Sequence, residues 1–519
     1  MCVFPAVLLS GCLLITDKDL AGRLADLDQD GFLAVSEGGG DCDDDDSGVH
    51  PRAEEACGDG VDQDCDDDPE DCRLGEETSL ADADAELFSV VPGEAAGSIV
   101  VLAGDVDDDG YDDVLVGAVN SDERGDQAGL VYLVRGPLVG RRSLGTATAR
   151  FLGEEAGALA GMSAERAGDV NGDGRADILV GSPGVDAGGD SIGAAYLMYG
   201  PQEGDLELAA ADARILGDRA WDSVGFDVAP ASDIDADGFA DLIVGAGLAD
   251  VDDDVDNGEA CVFSGPVVGE HPLSGADACL VGMETYVRAG SNVAGPGDVD
   301  GDGLDDLWVA GDNAPRVPGG NVHVGAAWLV YGPVAGRIDL ADADGVVYGE
   351  EDGDLFGADL TGAGDVDADG YADLLALSWS ADRGGVDVGA AYLFRGPLYG
   401  EAEAADADVI WAGSAESPLW PQLRSAGDLD ADGWPDMVLS AGIDARAGVE
   451  AGAAIVYYGP LLDAGEPRAL LGVAAGDLAG WSVDGGGDVD GDGIDDLLVG
   501  GWGVGEDAGA AWLVRGESR

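Results

Sequence analysis

The chain has 519 residues, 46% of them hydrophobic, which is enough for a large packed core and excludes wholesale disorder. Its charge is extreme, 107 acidic against 23 basic residues for a formal net of −84, and this excludes nucleic acid and anionic membrane surfaces as partners because both need basic patches. Acidic tails carry their charge in blocks, whereas a third of the aspartate here, 27 of 81 residues, recurs at fixed spacing, which points to bound cations, with a salt-adapted surface as an additional contribution.

Met1–Ile15 is apolar, and Leu9-Ser10-Gly11-Cys12 fits the lipobox at which a bacterial lipoprotein is lipidated on cysteine and cleaved. Residues 1–12 are therefore expected to be a lipoprotein-type signal with Cys12 as lipid carrier. The segment is short and lacks Lys and Arg, and a buried N-terminal strand is the alternative reading. No other stretch approaches the ~20 apolar residues of a membrane span. With Cys2 removed and Cys12 lipidated, Cys42, Cys57, Cys65, Cys72, Cys261 and Cys279 remain, an even set that reads as disulfides in an oxidising compartment. The expected location is extracytoplasmic, as a cell-envelope lipoprotein or a secreted protein, with membrane contact only through a lipid on Cys12.

Residues 13–40 read as a linker in which Asp26, Asp28, Asp30, Phe32 and Glu37 follow EF-hand loop spacing, including the acid at the twelfth position. The residues before this loop make only a short helix, so calcium binding there stays open. Residues 41–72 are a compact Cys- and Asp-rich module, and 73–84 a second linker.

From residue 85 onward the chain repeats. GDVDDDGYDDVLVG from Gly104 and GDVNGDGRADILVG from Gly168 open a series that ends with GDVDGDGIDDLLVG from Gly487. Its seven members place their first aspartates at 105, 169, 233, 298, 365, 428 and 488, a period of 60 to 67 residues. A second marker recurs in step: GAAYLMYGP (193–201), GAAWLVYGP (325–333), GAAYLFRGP (389–397) and their counterparts are β-branched and aromatic runs closed by Gly-Pro turns, hence strands. A third marker (RFLGE, RILGD, CLVGM, VVYGE) follows about 15 residues later. A fourth precedes each loop, with Gly97, Gly161, Gly225, Gly290, Gly357 and Gly480 eight residues before the first aspartate and Trp420 in that place in the sixth repeat. Each repeat thus gives four short strands and no amphipathic helical window. Four-stranded units of this length are propeller blades. The expected fold is all-β, a seven-bladed β-propeller of four-stranded blades over 85–519, preceded by a small disulfide- and Asp-rich module. The seventh repeat lacks its fourth strand, and Ala85–Val91 is expected to supply it and close the ring, covered on at least part of both faces.

The loops follow D-x-[DN]-x-D-G-x-x-D. Alternate residues of a tight loop point inward, so positions 1, 3 and 5 converge, Gly at 6 permits the turn, position 7 offers its carbonyl and the Asp at 9 completes an all-oxygen cage suited to Ca2+. The expected ligand sets are Asp105, Asp107, Asp109, Tyr111, Asp113; Asp169, Asn171, Asp173, Arg175, Asp177; Asp233, Asp235, Asp237, Phe239, Asp241; and Asp298, Asp300, Asp302, Leu304, Asp306 in the first four blades. In the last three they are Asp365, Asp367, Asp369, Tyr371, Asp373; Asp428, Asp430, Asp432, Trp434, Asp436; and Asp488, Asp490, Asp492, Ile494, Asp496. About seven Ca2+ are expected, more if the N-terminal region binds as well. Asn171 removes a charge, so its loop should be the weakest. An Asx-rich turn without metal is the alternative for any single loop. Transition metals would want His or Cys, and none of the three histidines (His50, His271, His323) lies in a loop.

These repeats, their D-x-D-x-D-G-x-x-D loops and the LLVG-type strand after them resemble the FG-GAP repeats of the integrin α-subunit propeller over residues 85–519. The namesake Phe-Gly survives only at Phe356-Gly357. The resemblance implies metal loops between strands 1 and 2 on one face and ligand binding in the 2–3 and 4–1 loops of the other. The Asp41–Cys72 stretch resembles an acidic metal-binding motif found beside such repeats in bacterial surface proteins.

Gly189-Asp-Ser191-Ile-Gly193 matches G-x-S-x-G, but a strand follows it where a nucleophile elbow needs a helix, so catalysis by Ser191 is rejected. The expected protein is not an enzyme. It is a cell-surface calcium-binding propeller for adhesion or protein-ligand binding, with an extracellular protein or glycan as partner. A lectin-like propeller is the alternative and a propeller-based hydrolase a minor one. Glycan binding would use aromatic platforms on the ligand face. Trp379 and Trp502 fall in 2–3 loops and Trp221 in a 4–1 loop, with plain packing as the other reading of all three. Cys261 and Cys279 fall in adjacent strands of one blade, close enough for a disulfide.

Overall fold

The computed structural model describes residues 74–517, apart from 76, 187–190, 253, 318 and 321. Cys12, the set Asp26, Asp28, Asp30, Phe32 and Glu37, and Cys42, Cys57, Cys65 and Cys72 lie outside the described residues. Leu74–Gly516 forms one compact unit.

The described residues form seven sheets, each with four antiparallel strands, arranged as the blades of a seven-bladed propeller. The first blade runs Ala96–Gly104, Asp113–Ala118, Leu130–Val134 and Ala149–Leu152 from the inside outward. Its second and third strands are buried at every residue. Both faces of these strands are covered by neighbouring blades, which is why DVLVGA and LVYLV read as continuous apolar runs with no alternation. Outer strands alternate, as in Ala213–Leu216, because one face meets solvent. Seven hydrophobic clusters fill the gaps between consecutive blades, and the one around Leu102, Leu138, Leu498 and Leu513 joins the seventh blade to the first.

Six of the seven blades carry a fifth strand that sequence periodicity did not reveal. After each of the first five Gly-Pro turns the chain makes a short strand parallel to the outer strand of the preceding blade. Gly204–Glu207 pairs in this way with Ala149–Leu152. A single 3-10 turn then buries one apolar residue, Leu144, Leu208, Leu273 and Leu340 in the first four and Ala404 in the fifth, each at most 1% exposed. These added strands are polar and mostly exposed, as in GDLE, so no hydrophobic signal marks them.

The ring closes through the N-terminal segment. Ala85–Phe88 pairs antiparallel with Ala510–Val514 and becomes the fourth strand of the seventh blade. Upstream, Glu77–Ser79 pairs parallel with Arg468–Leu471 of the sixth blade, and Leu80 in the turn between is 1% exposed. The segment thus repeats the strand–turn–strand pattern found between third and fourth strands elsewhere. One expectation needs correction: the closing strand ends at Phe88, and Val90 and Val91 are 68% and 50% exposed because the chain turns away there. Cys261 and Cys279 sit opposite one another in the third and outer strands of the third blade and form a disulfide.

Candidate metal centres

Each D-x-[DN]-x-D-G-x-x-D segment is the hairpin connection between the inner and second strands of its blade. It is closed by the register pair between the residue before position 1 and the Asp at 9, as in Gly168↔Asp177. Position 1 holds the loop from within. Oδ1 of Asp169 accepts the Asp173 N–H at 2.9 Å and Oδ2 accepts the Gly174 N–H at 2.8 Å. The same two bonds recur from Asp105, Asp233, Asp298, Asp365, Asp428 and Asp488. The carboxylate at position 5 accepts the N–H of position 7, as Asp237 does from Phe239 at 3.0 Å. The Gly at 6 carries positive φ in every loop, from 89° to 94°, a conformation that would strain any other residue there.

The aspartate at position 9 behaves differently. Asp113, Asp177, Asp241, Asp306, Asp373, Asp436 and Asp496 are at most 1% exposed. Each accepts the N–H of position 2 on one oxygen and, on the other, the N–H of the glycine that follows the third strand. For Asp373 these are Val366 at 2.8 Å and Gly396 at 2.9 Å. Burial pushes these carboxyls up, to about 6 for Asp177, Asp241, Asp306 and Asp373, about 7 for Asp113 and Asp496, and about 8 for Asp436.

In the blade 1 loop, oxygens of Asp105, Asp107 and Asp109 lie within 4.8 Å of one another, as do those of Asp298, Asp300 and Asp302. In blades 3 and 5 the position-9 carboxylate joins the group, as Asp233, Asp235 and Asp241 and as Asp365, Asp367 and Asp373. Oδ1 of Asp107 is buried and has no hydrogen-bond partner, so it is available to a cation. The donors are all oxygen and the site charge is high, which fits Ca2+ and not a metal that prefers nitrogen or sulfur.

The opposite end of the strands carries aromatic residues. Trp379, Trp420, Trp481 and Trp502 form a half-buried belt across blades 5 to 7, with successive ring centroids 6.0, 4.6 and 5.4 Å apart. Trp379 is further fixed by its Nε1–H, which donates to the Pro421 carbonyl. Packing accounts for this belt. It does not account for Trp221, which is 64% exposed, nor for Tyr286, 49% exposed.

Between the two faces, side chains of the inner strands meet near the axis. Arg424 pairs with Asp359 at 2.8 Å and Glu165 at 3.4 Å, with Asp227 and Asp484 nearby. The aspartates also staple adjacent blades. Asp227 accepts the Val293 N–H, Asp359 that of Leu423 and Asp484 that of Leu102.

The FG-GAP repeat family matches residues 163–198, the inner, second and third strands of the second blade with the Asp169–Asp177 loop. The chain carries the FG-GAP repeat. Integrin alpha-5 of Xenopus laevis is 31% identical over 175 residues, covering 32% of this chain and 16% of that protein. Integrin alpha-IIb of Homo sapiens is 33% identical over 177 residues, covering 33% of this chain and 16% of its own length. Phosphatidylinositol-glycan-specific phospholipase D of Mus musculus is 32% identical over 203 residues, covering 37% and 23%. The matched stretches span less than a quarter of the length of each of these relatives. Among solved structures, a crystal structure of BBS1N in complex with ARL6DN, soaked with mercury, aligns with 85% of this chain and 98% of that chain at TM-score 0.43 and 9% identity, too distant to bear on function. Among the described residues no helix is long and apolar enough to cross a membrane.

Proposed function

We propose that this FG-GAP propeller is a non-catalytic, extracytoplasmic protein, held at the cell envelope by a lipid on Cys12 or secreted. Its seven loops hold about seven Ca2+, and it binds a protein ligand on the opposite face, in adhesion or a related attachment. The residues that would hold calcium are those at positions 1, 3, 5 and 9 of each loop and the carbonyl at 7. Bound calcium supplies positive charge to carboxylates that otherwise repel one another.

One observation carries the ligand face. Twelve residues before the first loop aspartate, four blades place Gly93, Gly157, Gly353 and Gly476, all at positive φ between 76° and 91°. Blades 3 and 4 place Trp221 and Tyr286 there, at φ 71° and 68°. A bulky side chain in the left-handed region costs about 1–2 kcal/mol, and these two pack against little, being largely exposed. Strain kept at an exposed aromatic, where glycine serves in neighbouring blades, marks a contact made with something else.

The lectin-like alternative would use the half-exposed edges of the Trp379–Trp420–Trp481–Trp502 belt, although its rings are already packed on one another. The phospholipase D relatives leave room for an enzymatic protein around this repeat. Against catalysis by this propeller, Ser191 lies in an isolated bridge with Asp186, and His271 and His323 are hydrogen-bonded to the carbonyls of Val268 and Asn313. The test is a W221G/Y286G variant, screened with the parent protein on arrays of extracellular proteins and of glycans, with and without calcium. The reading expects an unchanged or raised melting temperature together with loss of a protein hit. Hits on glycans alone would favour the lectin, and protein hits kept by the variant would move the ligand surface elsewhere.

A further inference from the structure

The residue before the glycine that caps position 9 differs between blades: Arg135, Tyr199, Ser264, Tyr331, Arg395, Tyr458 and Arg515 in order. The three arginines reach back into the loop of their own blade and pair with the aspartate at position 3. Arg135 Nε lies 2.8 Å from Asp107 Oδ2, Arg395 Nη1 3.3 Å from Asp367 Oδ2 and Arg515 Nη1 2.9 Å from Asp490 Oδ2. The pairs are sheltered, the aspartates retaining 12%, 18% and 13% of their side-chain exposure. In blades 3 and 4 the same place holds Ser264 and Tyr331. The Tyr331 hydroxyl donates to the Leu398 carbonyl, away from its loop.

We infer that Arg135, Arg395 and Arg515 divide five of the seven calcium loops into two classes, with the loops of blades 2 and 6, where Tyr199 and Tyr458 take that place, standing outside the division. The unclamped loops of blades 3 and 4 bind tightly, and the clamped loops of blades 1, 5 and 7 bind weakly but stay ordered when calcium is absent. This rests on the calcium reading above. The physical reason is the charge count. A loop with four carboxylates attracts a divalent cation most strongly and repels itself most strongly without one. A guanidinium on position 3 removes one unit of that negative charge. It also occupies one oxygen of a ligand, leaving the other, as with the unpartnered Asp107 Oδ1, to face the cation. Affinity falls and the empty loop is stabilised by the same contact. The placement has a consequence for assembly. Blades 1 and 7 flank the seam closed by the N-terminal strand, and Arg515 also donates to the Leu138 carbonyl across that seam. The seam is thereby the part of the ring least dependent on calcium.

The test uses the full chain and calcium chloride as the only ligand, read by calorimetric titration and by native mass spectrometry. The parent should show two affinity classes separated by about tenfold to a hundredfold. The triple variant R135Q/R395Q/R515Q should move three ions from the weak class to the tight one and lower the melting temperature in chelator. The reverse variant, Ser264→Arg, should remove one ion from the tight class, which keeps the test decisive if the triple variant folds poorly. Calcium binding with identical classes in the parent and in Ser264→Arg would overturn the division while leaving the calcium loops intact. Absence of calcium binding in all proteins would overturn both.

Discussion

At the residue scale, the aspartates of one loop have separable duties. Asp241 accepts the buried N–H groups of Ile234 at 3.0 Å and Gly265 at 2.8 Å, whereas Asp237 accepts only the exposed N–H of Phe239. Asp241→Ala strands two buried donors and should cost about 3 kcal/mol even in chelator. Asp237→Ala should be nearly neutral in chelator and destabilising only in calcium. Urea denaturation with and without EDTA measures both, and equal losses in chelator would contradict the assignment. The loop spacing made positions 1 to 9 legible in the sequence. The second duty of position 9 was not, because its other donor lies more than 20 residues downstream, at the end of the third strand. The αL aromatics were equally hidden, since nothing in Trp221 or Tyr286 announces φ until the blades are superposed.

The axial cluster gives a pH dependence at the same scale. Burial raises the Asp227 carboxyl from 3.8 to about 7, facing Asp359 and Arg424, with Glu165 and Asp484 beside them. A carboxyl raised on folding holds its proton more tightly in the native state. Its contribution is therefore present below pH 4 and lost as pH rises to about 7. Asp227→Asn keeps an oxygen for the Val293 N–H and removes the titration. Compared with the parent in calorimetric melts, it should be relatively more stable at pH 7 than at pH 5. A difference that does not change with pH would refute the burial argument.

At the scale of elements, the four strands of each blade were legible because the second strands are largely apolar after their opening aspartate and the largely apolar third strands run into Gly-Pro in the first six blades. The fifth strands were not, because polar, exposed residues such as Gly204–Glu207 are held only by main-chain pairing. These strands set where a truncation that tests closure must begin. A chain starting at Thr78 would cut into Glu77–Ser79, so the full closing segment begins at Leu74, whose N–H donates to the Tyr458 hydroxyl. Starting at Leu74 should preserve the melting temperature. Starting at Ala85 should lower it by exposing the edge of the sixth blade and removing Leu80 from its core. Starting at Gly93 should leave both blades unpaired and promote aggregation. Equal melts for the three would mean the ring closes without this segment.

At the scale of the whole molecule, seven loops carrying four acidic or amide groups each hold 27 of the 107 acidic residues. They also explain how a chain so acidic would fold. With free calcium about tenfold above Kd, each site adds roughly 1.4 kcal/mol, and seven sites add on the order of 10 kcal/mol, comparable to the entire net stability of an ordinary domain. The most direct test of this account is native mass spectrometry of the protein in trace calcium, paired with its melting temperature in excess chelator. The account predicts at least six tightly held Ca2+ in the propeller and a melting temperature more than about 10 °C lower once they are removed. A protein that retains no calcium and melts unchanged in chelator would contradict it.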